Sequence, residues 1–558
     1  MFSLKRITQN TATEVNNLTI TLMICRHDCR LFLNRSFGLD GRLSIRLSSN
    51  ISSDLRGSEN DCDRDFSRAR PHHHWQVDNE SYANYSTVST SEKVPGPPID
   101  SIFLGHAAEI LSSSSELPKI LGRRIKEYGG FFRLWIFSQP YILLASADYT
   151  EMFFSMKELS MKANVYDFLH IWLGLGLLTS QGQLWQQRRK LITPAFHFAM
   201  LNNFSETLID NTVSLIKKLR EESSDAINVF KMMHLIALDN ICETAMGIKI
   251  DALNNPKLDY IRAIEDSTHS LMNRMLKPWL WNDTTYFLAP VGRKLKKDLS
   301  IIFELTNKVI KERREEKSRE NISSDFSANE SQTCDDTGGK KKLAFLDLLM
   351  EACDSQSVPL SDKDLSDEVN TFMFEGHDTT AVALSYTLFL LGLHPEIQEK
   401  CFEELDEMFR DSARKPTPDD LQNMKYLERV IKETLRLCPS VPMICRQVPK
   451  DTNLGGYLVP EGSLVTLDVF HLHRDPKYFP EPEKFDPDRF TIENSQDRHP
   501  FAYVPFAAGT RNCIGQKFAM MEEKIVLSYI LRNFRLESIE KFQDMEPAFE
   551  LILRSEII

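Results

Sequence analysis

Residues 1–92 contain no run of the roughly 20 apolar residues that a bilayer span requires. Their longest apolar stretch, Leu18 to Cys25, is broken by two threonines. That excludes a transmembrane helix in this segment, and the want of a small-residue cleavage site argues against a secretory signal. Excess positive charge is also missing. With 67 Lys and Arg against 79 Asp and Glu, the formal net charge is −12, so no overall cationic field draws in nucleic acid. Paired cysteines are absent too. The ten cysteines (Cys25, Cys29, Cys62, Cys242, Cys334, Cys353, Cys401, Cys438, Cys445 and Cys513) form no CxxC pair and no zinc spacing. In a chain this long they read as reduced thiols facing the cytosol, one of them available as a ligand. Strand signals are few and late, and no internal repeat is visible.

What is present is a globular composition, 42% hydrophobic and 26% charged over 558 residues. Residues 1–92, rich in Ser, Asn, Arg and Asp, read as disordered. The run His72, His73, His74 beside Trp75 lacks partner ligands at helical spacing, so it does not read as a metal site. The character changes at Lys93-Val94-Pro95-Gly96-Pro97-Pro98, where prolines fix extended or turn backbone. From there to 558 the pattern predicts one domain of successive helices, interrupted by a polar linker at 320–342. The longest helix is expected from Ser361, with Asp364 completing a near capping box, to Gly392 before His394-Pro395. Its apolar second half contains Glu375-Gly376-His377-Asp378-Thr379-Thr380, which suits a buried core helix better than a membrane span. Gly456 to Val459 and Ser463 to Val469 flank Pro460-Glu461-Gly462 and predict a hairpin. The fold class is therefore mainly α with a small β region.

Chemistry concentrates in Phe506-Ala507-Ala508-Gly509-Thr510-Arg511-Asn512-Cys513-Ile514-Gly515. Gly509 permits a tight turn and Arg511 can reach an anion. Cys513 begins a helix, where backbone N–H groups favour a thiolate, and Gly515 lets that helix approach a flat ligand. This segment resembles the haem-binding loop FxxGxRxCxG of the cytochromes P450 at every fixed position, and the resemblance extends over roughly residues 93–558. The P450 fold is then implied, with haem b between the long central helix and the Cys-ligand loop, and Cys513 on the iron.

Other motifs fall in the family's order. Glu433 and Arg436, alone an ordinary surface ion pair, look like the ExxR motif, with Arg489 of Pro487-Asp488-Arg489-Phe490 as its locking arginine; Asp488 stands where the family more often has Glu. Trp185 and Arg189 match WxxxR, whose residues bind a haem propionate, and Arg446 and Arg511 are similar to the other propionate-binding arginines. The basic run Arg188-Arg189-Lys190 is either a solvated face or part of a reductase-docking surface. Asp378 and Thr379 resemble the acid–alcohol pair that delivers protons to oxygen, and Gly376 is expected to leave room for oxygen. The bland alternative is a back-bonded threonine beside an exposed aspartate.

Phe374-Glu375-Gly376-His377-Asp378-Thr379-Thr380 looks like the family-4 branch, in which a glutamate at this place can form an ester with a haem methyl group. The branch implies ω-hydroxylation of fatty acids with electrons from NADPH through cytochrome P450 reductase, and cytochrome b5 as a second partner. The resemblance also implies the cytosolic face of the endoplasmic reticulum membrane. Isoprenoid hormones, steroids and xenobiotics remain open as substrates; a haem-thiolate isomerase and a haem carrier or sensor are the other readings. Microsomal members carry a transmembrane helix before the proline-rich hinge. Residues 1–92 hold none, so the chain as read starts differently from those relatives or holds the membrane by other means. Pro278-Trp279-Leu280-Trp281 is either an interfacial contact or a pair of core tryptophans, the latter being the default expectation.

Overall fold

The structure is a computed structural model. It describes residues 93–555 except 100, 102, 197, 222–226, 256–258, 329–344, 355–359 and 411. The expectations for residues 1–92, including the histidine run, lie outside the described residues.

Helices carry the described fold: α1 (Gly182–Ile192), α2 (Phe198–Glu221), α3 (Val229–Thr244), α4 (Tyr260–Leu276), α5 (Pro290–Ala328), α6 (Asp362–Leu393), α7 (Pro395–Phe409), α8 (Lys425–Leu437) and α9 (Gln516–Asn533). Helix α6 starts where expected. The Ser361 side chain accepts from Asp364 N at 3.1 Å, and the Asp364 carboxylate accepts from Ser361 N at 3.0 Å, a reciprocal cap. Pro395 stops it by removing the next donor. At about 1.5 Å per residue α6 is a rod of about 48 Å, apolar on most sides because it crosses the core, with α3, α5, α8 and α9 packed around it. Its Thr371, Ser385 and Thr387 hydroxyls donate to their own helix's carbonyls, so polar side chains cost little inside. Among the described residues no single helix is long and apolar enough to cross a membrane.

Three expectations need correction. Helix α5 continues to Ala328, so the first nine residues read as linker, 320–328, are helical; the remainder lies outside the described residues. Strands also occur early: β1 (Phe131–Ile136) and β2 (Gln139–Leu144) join β3 (Met443–Gln447) and β6 (Leu464–Asp468) in one sheet, in the order β1-β2-β6-β3. All six residues of β1 are buried, so it shows no alternation by which a half-exposed strand is recognised. The predicted hairpin re-pairs as well. β5 (Tyr457–Val459) pairs antiparallel with β4 (Thr452–Leu454), whereas β6 pairs parallel with β2 and antiparallel with β3. The turn is Gly455-Gly456, with φ of +62° and +86°, the positive values that a two-residue hairpin turn demands. A last pair, β7 (Pro547–Phe549) and β8 (Leu553–Ser555), lies near the end of the chain.

Candidate active site

One cavity lies between the middle of α6 and the Cys513 loop. Glu375, Gly376, Thr379 and Thr380 line it from α6, and Pro505 to Ala507 and Arg511 to Gly515 from the loop. Trp185 and Arg189 of α1 and Ile444 and Arg446 of β3 close its sides.

The loop is folded as its sequence demands. Gly509 has φ +69°, and a Cβ there would stand 2.7 Å from the Phe154 carbonyl, so only glycine fits. Phe506 anchors the other end, its carbonyl accepting from Cys513 N at 2.9 Å. Among the described residues Cys513 is the one cysteine lining the cavity. The backbone N–H groups of Gly515 and Gln516 pull the Cys513 thiol down, as the helix-start argument expects; although the side chain is open to the cavity, enclosure by the surrounding protein, then the charge of Glu375, push it up to about 11. A metal ion bound at the sulfur would favour the thiolate.

Arg189, Arg446 and Arg511 converge on the cavity, joined by Lys162, which no sequence pattern singled out. Arg189 spans to both the carbonyl and the side-chain oxygen of Asn512, each at 2.8 Å. Arg511 donates to Ser180 O at 2.9 Å and lies 4.3 Å over the Trp185 ring, while its Nε is buried without a partner. Burial, then the charge of Arg446, push Arg511 down to about 10. Burial, then the charges of Arg446 and Arg511, push Lys162 well below its ordinary value, so the fixed cations are the three arginines. Against them the cavity wall offers the carboxylates of Glu375 and, beyond the Cys loop, Glu523. Burial raises Glu375 to about 7, with Lys162 and Arg189 opposing, and raises Glu523 well above its ordinary value. Such a cationic rim is short of anion. A planar dianion with a metal at its centre answers both the rim and the sulfur, so the residues present fit haem.

The Glu433–Arg436 pair is no surface pair. Both side chains are fully buried, with Arg436 Nε and Nη2 donating to Glu433 at 2.7 and 2.8 Å. Arg489 Nε stands 3.3 Å from the same carboxylate. Arg436 also donates to the carbonyls of His473, Pro482 and Lys484, which ties α8 to the segment leading toward the Cys loop.

Three site expectations change. Asp378 does not line the cavity: its buried carboxylate accepts from Arg554 of β8 at 2.7 and 2.9 Å and from His234 of α3 at 3.0 Å. Thr379 does line it, and its hydroxyl is back-bonded to Glu375 O at 2.7 Å, so the acid and the alcohol sit on different faces of α6. Gly376 lines the cavity as expected, and a Cβ on it would also meet Ile241 Cδ1 at 2.6 Å, so this glycine serves the close approach of α3 to α6 as well. Arg188 and Arg189 turn inward, Arg188 onto Asp364 at 2.6 Å, and Lys190 is the exposed member of the basic run. Finally, Trp279 and Trp281 are 69% and 39% exposed, which overturns the expectation of core tryptophans.

A family model for cytochrome P450 matches residues 95–556. The chain belongs to the cytochrome P450 family. It is 44% identical over 458 residues to human cytochrome P450 4V2, covering 81% of this chain and 86% of that one. It is also 44% identical over 478 residues to Drosophila melanogaster cytochrome P450 4c3, covering 84% and 88%. Cytochrome P450 4c21 of Blattella germanica is 41% identical, covering 83% and 91%. Among solved structures, the haem domain of cytochrome P450DA matches with a TM-score of 0.69 at 26% identity, covering 83% of this chain and 96% of that one. The protein is therefore a P450 monooxygenase of the family-4 branch that binds haem through a cysteine thiolate.

Proposed function

We propose that this P450 ω-hydroxylates fatty acids or related lipids, taking electrons from NADPH through cytochrome P450 reductase, with cytochrome b5 as an accessory donor. The observation that carries the reading is the cavity itself, where Glu375 and Thr379 face the Cys513 loop across walls that are otherwise largely apolar, including Leu177, Leu178, Phe372 and Val441. Such apolar stretches desolvate a hydrocarbon chain.

Haem, when bound, supplies the activation of oxygen; the chain's own residues bind, orient and proton-load the site. Cys513 would hold the iron; Arg189, Arg446 and Arg511 would hold the propionates as charge-assisted donors, with the Trp185 N–H as a neutral one. Phe506 and Gly509 shape the loop, and the Glu433–Arg436–Arg489 lock fixes its approach. Thr379 would relay a proton into the cavity once its hydroxyl leaves the Glu375 carbonyl, with Asp378 as the acid on the neighbouring face of α6. Glu375, raised by burial to about 7, would be the carboxylate of the expected ester with a haem methyl group, which removes its charge.

A groove between α8 and α9, lined by Lys425, Lys432, Lys517, Met520 and Met521 beside Phe506 and Ala507, suits an acidic reductase better than the inward-turned Arg188 and Arg189. Exposed Phe103, Leu104, Trp279 and Leu288 suit contact with a lipid surface, consistent with residence on the cytosolic face of the endoplasmic reticulum. Reconstitution with reductase, NADPH and a panel of lipids, with products identified by mass, tests the reading. Terminal alcohols are expected from fatty acids; oxidation of only steroids or isoprenoids, or no lipid product, overturns it.

A further inference from the structure

The partners of Asp378 carry an unusual charge pattern. His234 has Nδ1 at 2.8 Å from the Phe230 carbonyl and Nε2 at 3.0 Å from Asp378 Oδ1. A neutral imidazole owns one N–H and one lone pair, but a carbonyl can only accept, and so can an ionised carboxylate. Both ring nitrogens must therefore donate, and the ring is an imidazolium wherever Asp378 is ionised. Arg554 Nη2 bridges both oxygens of that carboxylate. Burial alone would raise Asp378, but the Arg554 charge and the His234 bond hold it well below the usual carboxylate range. The result is two cations on one anion, with His234 and Asp378 fully buried.

Titratable groups from three neighbouring segments face this cluster. From α6, His377 stands edge-on to His234 at 5.1 Å; both its nitrogens are unpartnered, and burial, then the His234 charge, lower it to about 3, so it stays neutral. From α4, Glu265 feels both His234 and Arg554 but is itself raised by burial, and Tyr260 is a fully buried phenol. Glu550, ahead of β8, faces Arg554 and is bonded to His269 at 2.9 Å. Nothing hydrogen-bonded to His234 removes its second proton.

We propose that His234 is the proton store for oxygen activation: it passes its Nε2 proton to Asp378, which delivers it to Thr379. The N–H bond at Nε2 breaks and an O–H bond at Oδ1 forms, leaving neutral imidazole and a neutral acid with no ion pair to hold it. Freed from Arg554, the acid turns about its side-chain bonds toward Thr379, whose hydroxyl leaves the Glu375 carbonyl and relays a proton into the cavity. A proton drawn from bulk solvent restores the imidazolium, so each cycle moves one proton and no electrons. His234 acts through Asp378 and is a positioning residue; this inference rests on the monooxygenase reading only for what consumes the proton.

The test uses holoenzyme with reductase and NADPH, wild type against His234→Gln, which keeps a donor to Asp378 but cannot carry the proton. Hydrogen peroxide released per dioxygen consumed is measured with and without lipid. Wild type is expected to release little peroxide. His234→Gln is expected to release several-fold more, approaching Thr379→Ala. An unchanged ratio in His234→Gln would overturn the proposal. Absence of lipid product in wild type would instead sink the substrate reading and leave the peroxide comparison intact. Independently of turnover and of the variant's folding, solid-state spectra of ring-¹⁵N-histidine wild-type enzyme should show a doubly protonated imidazole hydrogen-bonded to a carboxylate. A singly protonated ring at that site refutes the store.

Discussion

Replacing Arg436 by Ala discriminates a structural lock from an ordinary helix pair. Exposed pairs three apart on a helix contribute about 0–1 kcal/mol. Arg436 is different: it forks onto a fully buried Glu433 and satisfies three main-chain carbonyls, those of His473, Pro482 and Lys484. Removing one partner of a buried pair costs about 3–5 kcal/mol, and each carbonyl left dry adds about 1 kcal/mol. Arg489 and the Asp486 amide still reach Glu433, which returns part of this. A net loss of about 5 kcal/mol or more is expected, comparable with the roughly 5–15 kcal/mol stability of a native domain. The assay is the urea concentration at which the thiolate-type ferrous carbon monoxide spectrum is half lost, together with the soluble holoprotein yield. Arg436→Ala is expected to accumulate little holoprotein, whereas Glu433→Leu with Arg436→Leu should lose less than the sum of the single changes, because no charge is left stranded. An Arg436→Ala enzyme within about 1 kcal/mol of wild type would refute the lock.

Glu375→Ala should make the haem extractable by acidified solvent; wild-type haem that already extracts freely would mean that no ester forms. Gly376→Ala should destabilise by about 1–3 kcal/mol, since its Cβ would lie 2.6 Å from Ile241 Cδ1, with part of the loss recovered by Ile241→Val. Thermal melts of both variants decide it. Burial raises Glu522 from 4.5 to about 8, with a hydrogen bond from Asn240 opposing. Its folded state thus binds a proton that the unfolded chain releases earlier, so stability is lost as pH rises across that window. Glu522→Gln should therefore melt higher than wild type near pH 9 and match it near pH 4.

The sequence alone determined what is local. The Cys513 loop was legible because a positive-φ glycine, an arginine and a helix-starting cysteine act within ten residues. The same holds for the Ser361 cap and for the length of α6. Tertiary structure decided what depends on direction. The helical period separates the adjacent Asp378 and Thr379 by about 100°; only His234 and Arg554, distant in sequence, show which way the acid faces. The burial of Glu433 and Arg436 could not be distinguished from a surface pair by spacing. Nor could β1 be seen, because a strand covered on both faces has no alternation. Short-range sterics and capping are written in neighbouring residues, whereas burial and charge partnership belong to whichever segments the fold brings alongside.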